Sequence, residues 1–313
     1  MIFAEAVRRA CVLVAVPAAV AGVALLTVPA ASADPAVTGS LGSRCEAHYL
    51  LALRGSNEPP QDAVVHESPV YPASVATGGM GPLLSAFFTA LQQQTGERSL
   101  PAPAGYGIVY PAVQVGDGGL SYFSNYVRSA RIGAENLRRA LQQINTACAD
   151  SETQVVIAGN SQGADAINLA LGNEVTSASD DFRNVSVITY FGDPSRSDQQ
   201  HSRAVGAQRG QGIFRILALF PAAQDQWMRA NPDVTISFCI PGDNVCDPVE
   251  HPEDLGNARG TIGVTPLDRH LSYADPAVRL RCDSPGLPDE TWMNAKDCAA
   301  HMVADRLSTQ ASS

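Results

Sequence analysis

The stretch Val155–Ile167, "VVIAGNSQGADAI", decides how this chain folds. An apolar, β-branched run gives way to Gly-Asn-Ser-Gln-Gly and then to residues at helical spacing. A short continuous apolar run reads as a strand buried on both faces, and the Ala- and Leu-rich continuation Ser161–Gly172 reads as a helix. Gly159-Asn160-Ser161-Gln162-Gly163 is therefore G-x-S-x-G in the strand–turn–helix setting that this motif requires. There a sharp turn exposes the serine, and small glycines let neighbouring backbone pass close. The N–H groups of the helix start stand where an oxyanion would form.

The pattern repeats on both sides of that unit. "HYLLAL" reads as a buried strand over His48–Leu53, and Gly81–Gln94 carries Leu84, Phe87, Phe88 and Leu91 at helical spacing. "GIVYPAV", Gly107–Val113, is predicted as a second strand, followed by a long helix over Ser121–Ala147 with one apolar face. After the central strand "TQVVIAG", further strands are predicted in "VSVITYFGD" and "VTISFC", and "KDCAAHMVADRL" reads as a closing helix. Apolar strands alternating with helices imply an α/β fold: a mainly parallel five-stranded sheet with helices on both faces. Two stretches, Ser195–Asp233 and Asp247–Arg269, are rich in Gly, Pro and charge and read as surface excursions. With no internal repeat or charge-run linker, residues 34–313 are expected to form one domain.

The first 33 residues differ from the rest. Arg8 and Arg9 precede an apolar run over Cys11–Val28, and Ala31-Ser32-Ala33 offers a small-residue cleavage site before Asp34. That is the layout of a secretory signal peptide, implying secretion after a cut at Ala33-Asp34. A membrane anchor is the competing reading, which Pro17, Gly22 and the many alanines weaken. Removing this segment takes away Cys11 and leaves six cysteines, an even number in a secreted chain. Sequence neighbourhood pairs Cys239 with Cys246 and Cys282 with Cys298, leaving Cys45 with Cys148, although the residues alone leave the connectivity open. No C-x-x-C pair or clustered histidine spacing favours a metal, and none is expected.

The formal charge is −10, and loss of residues 1–33 makes it slightly more negative. An acidic chain without a basic run is a poor nucleic-acid binder. Lys296 is the only lysine against 20 arginines, which removes a P-loop and a lysine base beside an active serine.

A serine hydroxyl is a weak nucleophile, so Ser161 needs a base, and the base an orienting carboxylate. In the strand–elbow–helix arrangement these follow the serine in the order acid, then histidine. His201, His251, His270 and His301 qualify by position. Asp243 lies just past a predicted strand, in a loop closed by Cys239 and Cys246, and a carboxylate that must orient an imidazole benefits from so little freedom. The competing reading is a turn-capping Asp in Pro-Gly-Asp-Asn. On the residues alone Asp243 ranks just above Asp193 of "FGDPSR". His48, in an apolar strand, reads as a satisfied interior histidine, and His301 as packing or solvent-facing. "GIFRILALF", Gly212–Phe220, reads as a buried segment in preference to the lining of an acyl cleft.

Four stretches, in order, resemble the cutinase family of serine esterases, including its secreted bacterial members. "LRGSNE" is similar to the family's R-G-S-T-E loop, "GNSQGADA" to its G-Y-S-Q-G elbow, "FCIPGDNVCD" to its C-x-x-G-D-x-V-C acid loop and "RHLSYAD" to its H-x-x-Y segment. The resemblance implies a disulfide-stabilised α/β-hydrolase fold with Ser161 as nucleophile, Asp243 as acid and His270 as base. It implies oxyanion donors at the Gln162 N–H and at Ser56, and Cys45 and Cys148 match a family disulfide. It further implies hydrolysis of carboxylic esters of short to medium acyl chains, contact with lipid or polyester surfaces, no cofactor, and a monomer. Lipase or phospholipase action and acetylxylan-type esterase action are the alternatives within the class. An envelope-associated binding protein on the same fold is the alternative outside it. The chain departs from the pattern at Asn160, where an aromatic is usual, and at Asn57, where a threonine is. The 27 residues from Asp243 to His270 are about twice the expected gap and contain His251. The segment holding Cys282 and Cys298 lengthens the tail.

Overall fold

The computed structural model describes residue 41 and residues 45–60, 68–114, 120–197, 202–217, 223–249 and 251–310. Residues 1–33, and with them the expected cleavage site at Ala33-Asp34, lie outside the described residues, as does His201.

The chain runs β1 (His48–Leu53), α1 (Pro82–Glu97), β2 (Ala104–Gly107), α2 (Leu120–Ala147), β3 (Gln154–Asn160), α3 (Gln162–Ser177) and β4 (Val185–Phe191). It continues through β5 (Arg203–Gly206), α4 (Ile213–Ile216), α5 (Gln224–Ala230), β6 (Thr235–Cys239), β7 (Ala258–Arg259), α6 (Pro266–His270), β8 (Arg279–Arg281), β9 (Trp292–Met293) and α7 (Ala295–Gln310). The main sheet has six strands in the order β2-β1-β3-β4-β6-β5, and every pairing between them is parallel.

Alternation along the strands builds two cores. Leu50, Ala52, Val156, Ala158 and Phe238 face α1 and α7, whereas Tyr49, Leu51, Leu53, Val155 and Ile157 face α2, α3 and α5. Helices thus cover both faces, as the apolar strands require. Each fully buried Leu, Val, Ile or Phe among them contributes about 1.5–3 kcal/mol from water exclusion.

The five-stranded expectation is corrected to six. The missed strand, β5, is the four-residue edge segment "RAVG", which pairs with β6 from Arg203–Ile236 to Gly206–Cys239. It has too few apolar residues to signal itself and owes its extended form to its neighbour. Ser195–Asp233 and Asp247–Arg269 are correspondingly more than surface excursions, since they hold β5, α4, α5, β7 and most of α6. The second strand lies earlier than predicted, over Ala104–Gly107, because Pro111 has no N–H for a ladder and the chain leaves the sheet after a single bridge from Ile108 to Val70. A small antiparallel sheet, β7-β8-β9, follows the last part of the main sheet.

Cys45–Cys148, Cys239–Cys246 and Cys282–Cys298 are bonded. The first spans 103 positions, and closing a loop of that size contributes about 4.7 kcal/mol in the chain-entropy model. The third ties the residue after β8 to α7. No helix among the described residues is long and apolar enough to cross a membrane.

The topology also places the chemistry. Strand β1 is flanked by β2 on one side and β3 on the other, so the connections diverge there, and in open parallel sheets such a point opens a crevice at the carboxyl ends of the strands. Ser56 follows β1 and Ser161 follows β3.

Candidate active site

Ser161 sits between β3 and α3 with φ 50° and ψ −113°, a conformation that costs a non-glycine residue on the order of 1–3 kcal/mol. Its surroundings hold it there. The Ser161 N–H donates to the Phe191 carbonyl at 2.9 Å, and its own carbonyl accepts from Ala164 N at 2.9 Å. The flanking glycines are dictated by packing: a Cβ on Gly163 would lie 1.9 Å from the Leu53 oxygen, and one on Gly159 2.5 Å from Ile167 Cδ1. The turn is locked against β1 on one side and α3 on the other.

His270, the last residue of α6, brings Nε2 to 3.0 Å from Ser161 Oγ. Its Nδ1 lies 2.9 and 3.1 Å from the two Asp243 oxygens. A carboxylate only accepts, so Nδ1 carries the proton and Nε2 is left as the acceptor facing the serine. The imidazole lies against the backbone at the end of β4, where a Cβ on Gly192 would be 2.6 Å from His270 Cε1. Asp243 is fully buried in the loop closed by Cys239–Cys246. Its oxygens also accept from Val245 N at 2.7 Å and from the Tyr273 hydroxyl at 2.6 Å, and its carbonyl accepts from Asp247 N at 2.8 Å. Burial and the Asp243 charge raise the Tyr273 phenol well above its ordinary value, so it remains a donor.

Ser161, Asp243 and His270 are thus brought together, and three donors besides the imidazole fix the acid residue. The rival histidine is elsewhere: His251 Nδ1 meets Asp247 Oδ1 at 3.1 Å. The rival acid, Asp193, accepts from Asn168 Nδ2 at 3.0 Å and Ser195 N at 2.8 Å. His48 is buried with Nδ1 2.8 Å from the Pro101 carbonyl, and His301 Nδ1 lies 3.3 Å from the Arg98 guanidinium, so both serve packing.

Gln162 opens α3, so its N–H precedes the helical ladder. Its side chain is engaged away from the site, accepting from Ser129 Oγ at 2.8 Å. Ser56 Oγ is buried with no hydrogen-bond partner among the described residues. Its loop is held by Arg54, a fully buried guanidinium that donates to the carbonyls of Glu58 at 3.0 Å, Pro60 at 2.7 Å and Tyr110 at 2.6 Å, and packs near the Tyr71 and Tyr110 rings. A buried guanidinium with carbonyl partners in several segments fastens the loop to the turn after β2.

Around Ser161 opens a cleft of about 580 Å³, whose lining includes Ser56, Glu58, Leu83, Asn160, Val245 and His270. Leu267 and Leu271 also line it, with 55% and 74% of their surface in solvent, so its mouth is apolar. The buried reading of Gly212–Phe220 is corrected: Ile213 and Phe214 are half-buried, Phe214 packing edge-on against Tyr126, but Ile216 and Leu217 are exposed, and residues 218–220 lie outside the described residues. No group of three or more His, Cys, Asp and Glu among the described residues could hold a metal ion.

Sequence reasoning passed over the roles of Arg54, Glu58 and Tyr273, although each stands in a stretch that it quoted. It missed altogether a buried carboxylate pair behind the elbow. Asp165 accepts from Tyr126 at 2.6 Å and from the Ser195 hydroxyl, and Ser195 N bridges to Asp193. Burial, reinforced by its neighbour's charge, holds Asp165 well above the carboxylate range, and burial pushes Asp193 up to about 6.

The profile of the family described as Cutinase matches residues 72–255, a span containing Ser161 and Asp243, with Ser56 and His270 outside it. Among solved structures the chain is similar to Trichoderma reesei cutinase in complex with a phosphonate inhibitor, at 20% identity over 87% of this chain and 81% of that one, with a TM-score of 0.43. It is similar to lysin B from Mycobacteriophage D29 at 14% identity over 85% and 91%, with a TM-score of 0.40. TT1662 from Thermus thermophilus follows at 15% identity over 85% and 90%, with a TM-score of 0.39. No curated protein matches the chain.

Proposed function

The chain belongs to the cutinase family, a family of hydrolases of the esterase–lipase type, and from that premise we propose that it is a secreted serine esterase acting through Ser161, His270 and Asp243. The observation that carries the reading is the His270 imidazole, with Nε2 at 3.0 Å from Ser161 Oγ and Nδ1 on the buried Asp243.

His270 takes the serine proton as Oγ attacks the ester carbonyl, and Asp243 stabilises the imidazolium that forms. The oxyanion of the tetrahedral intermediate is met by the Gln162 N–H and by Ser56, whose hydroxyl, unpartnered among the described residues, supports that role. Collapse of the intermediate gives the proton on His270 to the leaving alcohol and leaves an acyl group on Ser161. Water then attacks the acyl-enzyme with His270 again as base, releasing the carboxylic acid. No cofactor is required. Losing one oxyanion donor costs such an enzyme about 100- to 1,000-fold in rate.

The apolar wall of Leu83, Val245, Leu267 and Leu271 suits short to medium acyl chains and contact with lipid or polyester surfaces. Hydrolysis of p-nitrophenyl esters from acetate to palmitate by residues 34–313, beside Ser161→Ala, tests the reading. Turnover greatest from butyrate to octanoate and abolished in the variant is expected. A maximum at long chains moves the assignment to lipase. Absence of Ser161-dependent turnover on every chain overturns the esterase reading and favours a binding protein on this fold.

A further inference from the structure

The two proposed oxyanion donors stand on different segments. Ser56 belongs to the loop after β1, and Gln162 opens α3. A pair of donors is useful only if its spacing is held before the charge develops, and one side chain spans the gap. Glu58 Oε2 accepts from Gly55 N at 2.5 Å, next to Ser56. Glu58 Oε1 accepts from Asn160 Nδ2 at 3.3 Å, next to Ser161 and Gln162.

The space between this carboxylate and the neighbouring backbone is tight. A Cβ on Gly55 would lie 2.6 Å from Asn160 Nδ2, and one on Gly81, at φ 78° before α1, 2.5 Å from Glu58 Oε2. The carboxylate is seated between two backbone segments that only glycine allows to come so near. Because a carboxylate accepts and does not donate, Asn160 must turn its amide N–H toward it, which leaves Asn160 Oδ1 buried without a partner among the described residues. Asn160 is also the position where the elbow departs from the aromatic usual in the family, and its short amide is what reaches Glu58 here.

We propose that Glu58 is a positioning residue for the esterase reaction: its carboxylate bridges Gly55 and Asn160 and so sets the distance between the Ser56 and Gln162 donors. The inference rests on Ser161 being the nucleophile and adds to that reading a residue that acts only through the loop and the elbow. The charge state supports the bridge's being sensitive to pH. Burial pushes the Glu58 carboxyl above the ordinary range; Gly55 N–H, the Asn160 amide, Arg54 at the end of β1 and His270 on α6 pull the other way. Both oxygens accept, so the bridge belongs to the ionised form, and one of its bonds is lost as pH falls through the raised value.

The experiment is a cycle of Glu58→Gln, Asn160→Leu and the double variant, with Ser161→Ala as control and thermal transitions to verify folding. In Glu58→Gln the new amide fits the same space but offers one acceptor. Since oxyanion donors act in the transition state, each single variant is expected to lower kcat about ten-fold with KM nearly unchanged. The double variant should be no slower than the worse single, because both remove one bridge. The acidic limb of log kcat against pH should also become shallower in Glu58→Gln by one ionisation. Unchanged kcat in both singles, a loss confined to KM, or losses that multiply in the double variant would each overturn the inference while Ser161-dependent turnover upholds the esterase. If the unaltered protein shows no such turnover, the esterase reading falls and the inference falls with it.

Discussion

Replacing Tyr273 by Phe tests how the candidate acid is held. The Tyr273 hydroxyl donates to Asp243 Oδ2 at 2.6 Å, accepts from Ile240 N at 3.3 Å and lies 3.3 Å from Cys246 Sγ, with about 1% of the residue exposed. Phe keeps the ring against Phe191 but removes one charge-assisted hydrogen bond, worth about 1.5–3 kcal/mol, and leaves a buried N–H unpaired. With the hydroxyl this deeply buried, about 2–3 kcal/mol of stability should be lost, at roughly 2–4 °C per kcal/mol for a domain of this size. Turnover should fall far less. Asp243 retains Val245 N and the His270 Nδ1–H, so the tautomer is still set, and a decrease of about ten-fold or less is expected. Asp243→Asn, which offers the imidazole the wrong partner, should cost about 10,000-fold. The assays are thermal unfolding by circular dichroism and p-nitrophenyl butyrate hydrolysis, on both variants. An unchanged melting temperature in Tyr273→Phe would refute the account of the buried bond. A turnover loss as deep as that of Asp243→Asn would show that Tyr273 does more than hold the carboxylate.

Asp193→Asn should stabilise the protein, increasingly so as pH rises. Asp193 is held in the fold at about 6 against an ordinary 3.8, so the native state keeps its proton longer; its favourable contribution is complete below pH 3.8 and is lost as pH rises through about 6. The difference is on the order of 3 kcal/mol, and an Asn, whose Oδ1 can still accept from Ser195 N and Asn168, escapes it. Melting temperatures of parent and variant at pH 5 and pH 8 decide the matter, and an advantage that does not grow with pH contradicts the assignment. Replacing Cys239 and Cys246 together by Ser opens a loop of seven positions, worth about 2.5 kcal/mol in the chain-entropy model, and should lower kcat more than KM by loosening Asp243. A stability loss with full turnover would mean that the hydrogen bonds around Asp243 suffice to hold it.

What could be read in the sequence, and what could not, divides by the range of the interactions. The elbow was legible because its strand, glycine turn and helix are consecutive in the chain, so Gly159 and Gly163 mark the turn even though the oxygen that Gly163 must clear belongs to Leu53 on β1. The loop around Asp243 was legible for the same reason, its clamp being two cysteines seven positions apart. Strand β5 was not, since "RAVG" is extended only because β6 offers it a ladder, 33 residues later from Arg203 to Ile236. The expected α/β fold survived that omission because an edge strand adds to a sheet without changing which faces are covered.

His270 lies between these cases. Nothing in its own helix, five residues long, distinguishes it from His251; what marks it is the "LSY" of the H-x-x-Y segment that follows. The structure supplies the reason: Tyr273, three positions on, turns back to donate to the same carboxylate that orients the imidazole. The motif records a shared partner, with the histidine and the tyrosine spaced so that both reach Asp243 from one turn of chain. Glu58 was printed in an equally recognisable stretch, yet its partner Asn160 lies 102 positions away, and no pattern local to "RGSNE" contains it. A sequence can name the residues of such a bridge without revealing that they meet, and this is where folding brings the loop and the elbow into one site.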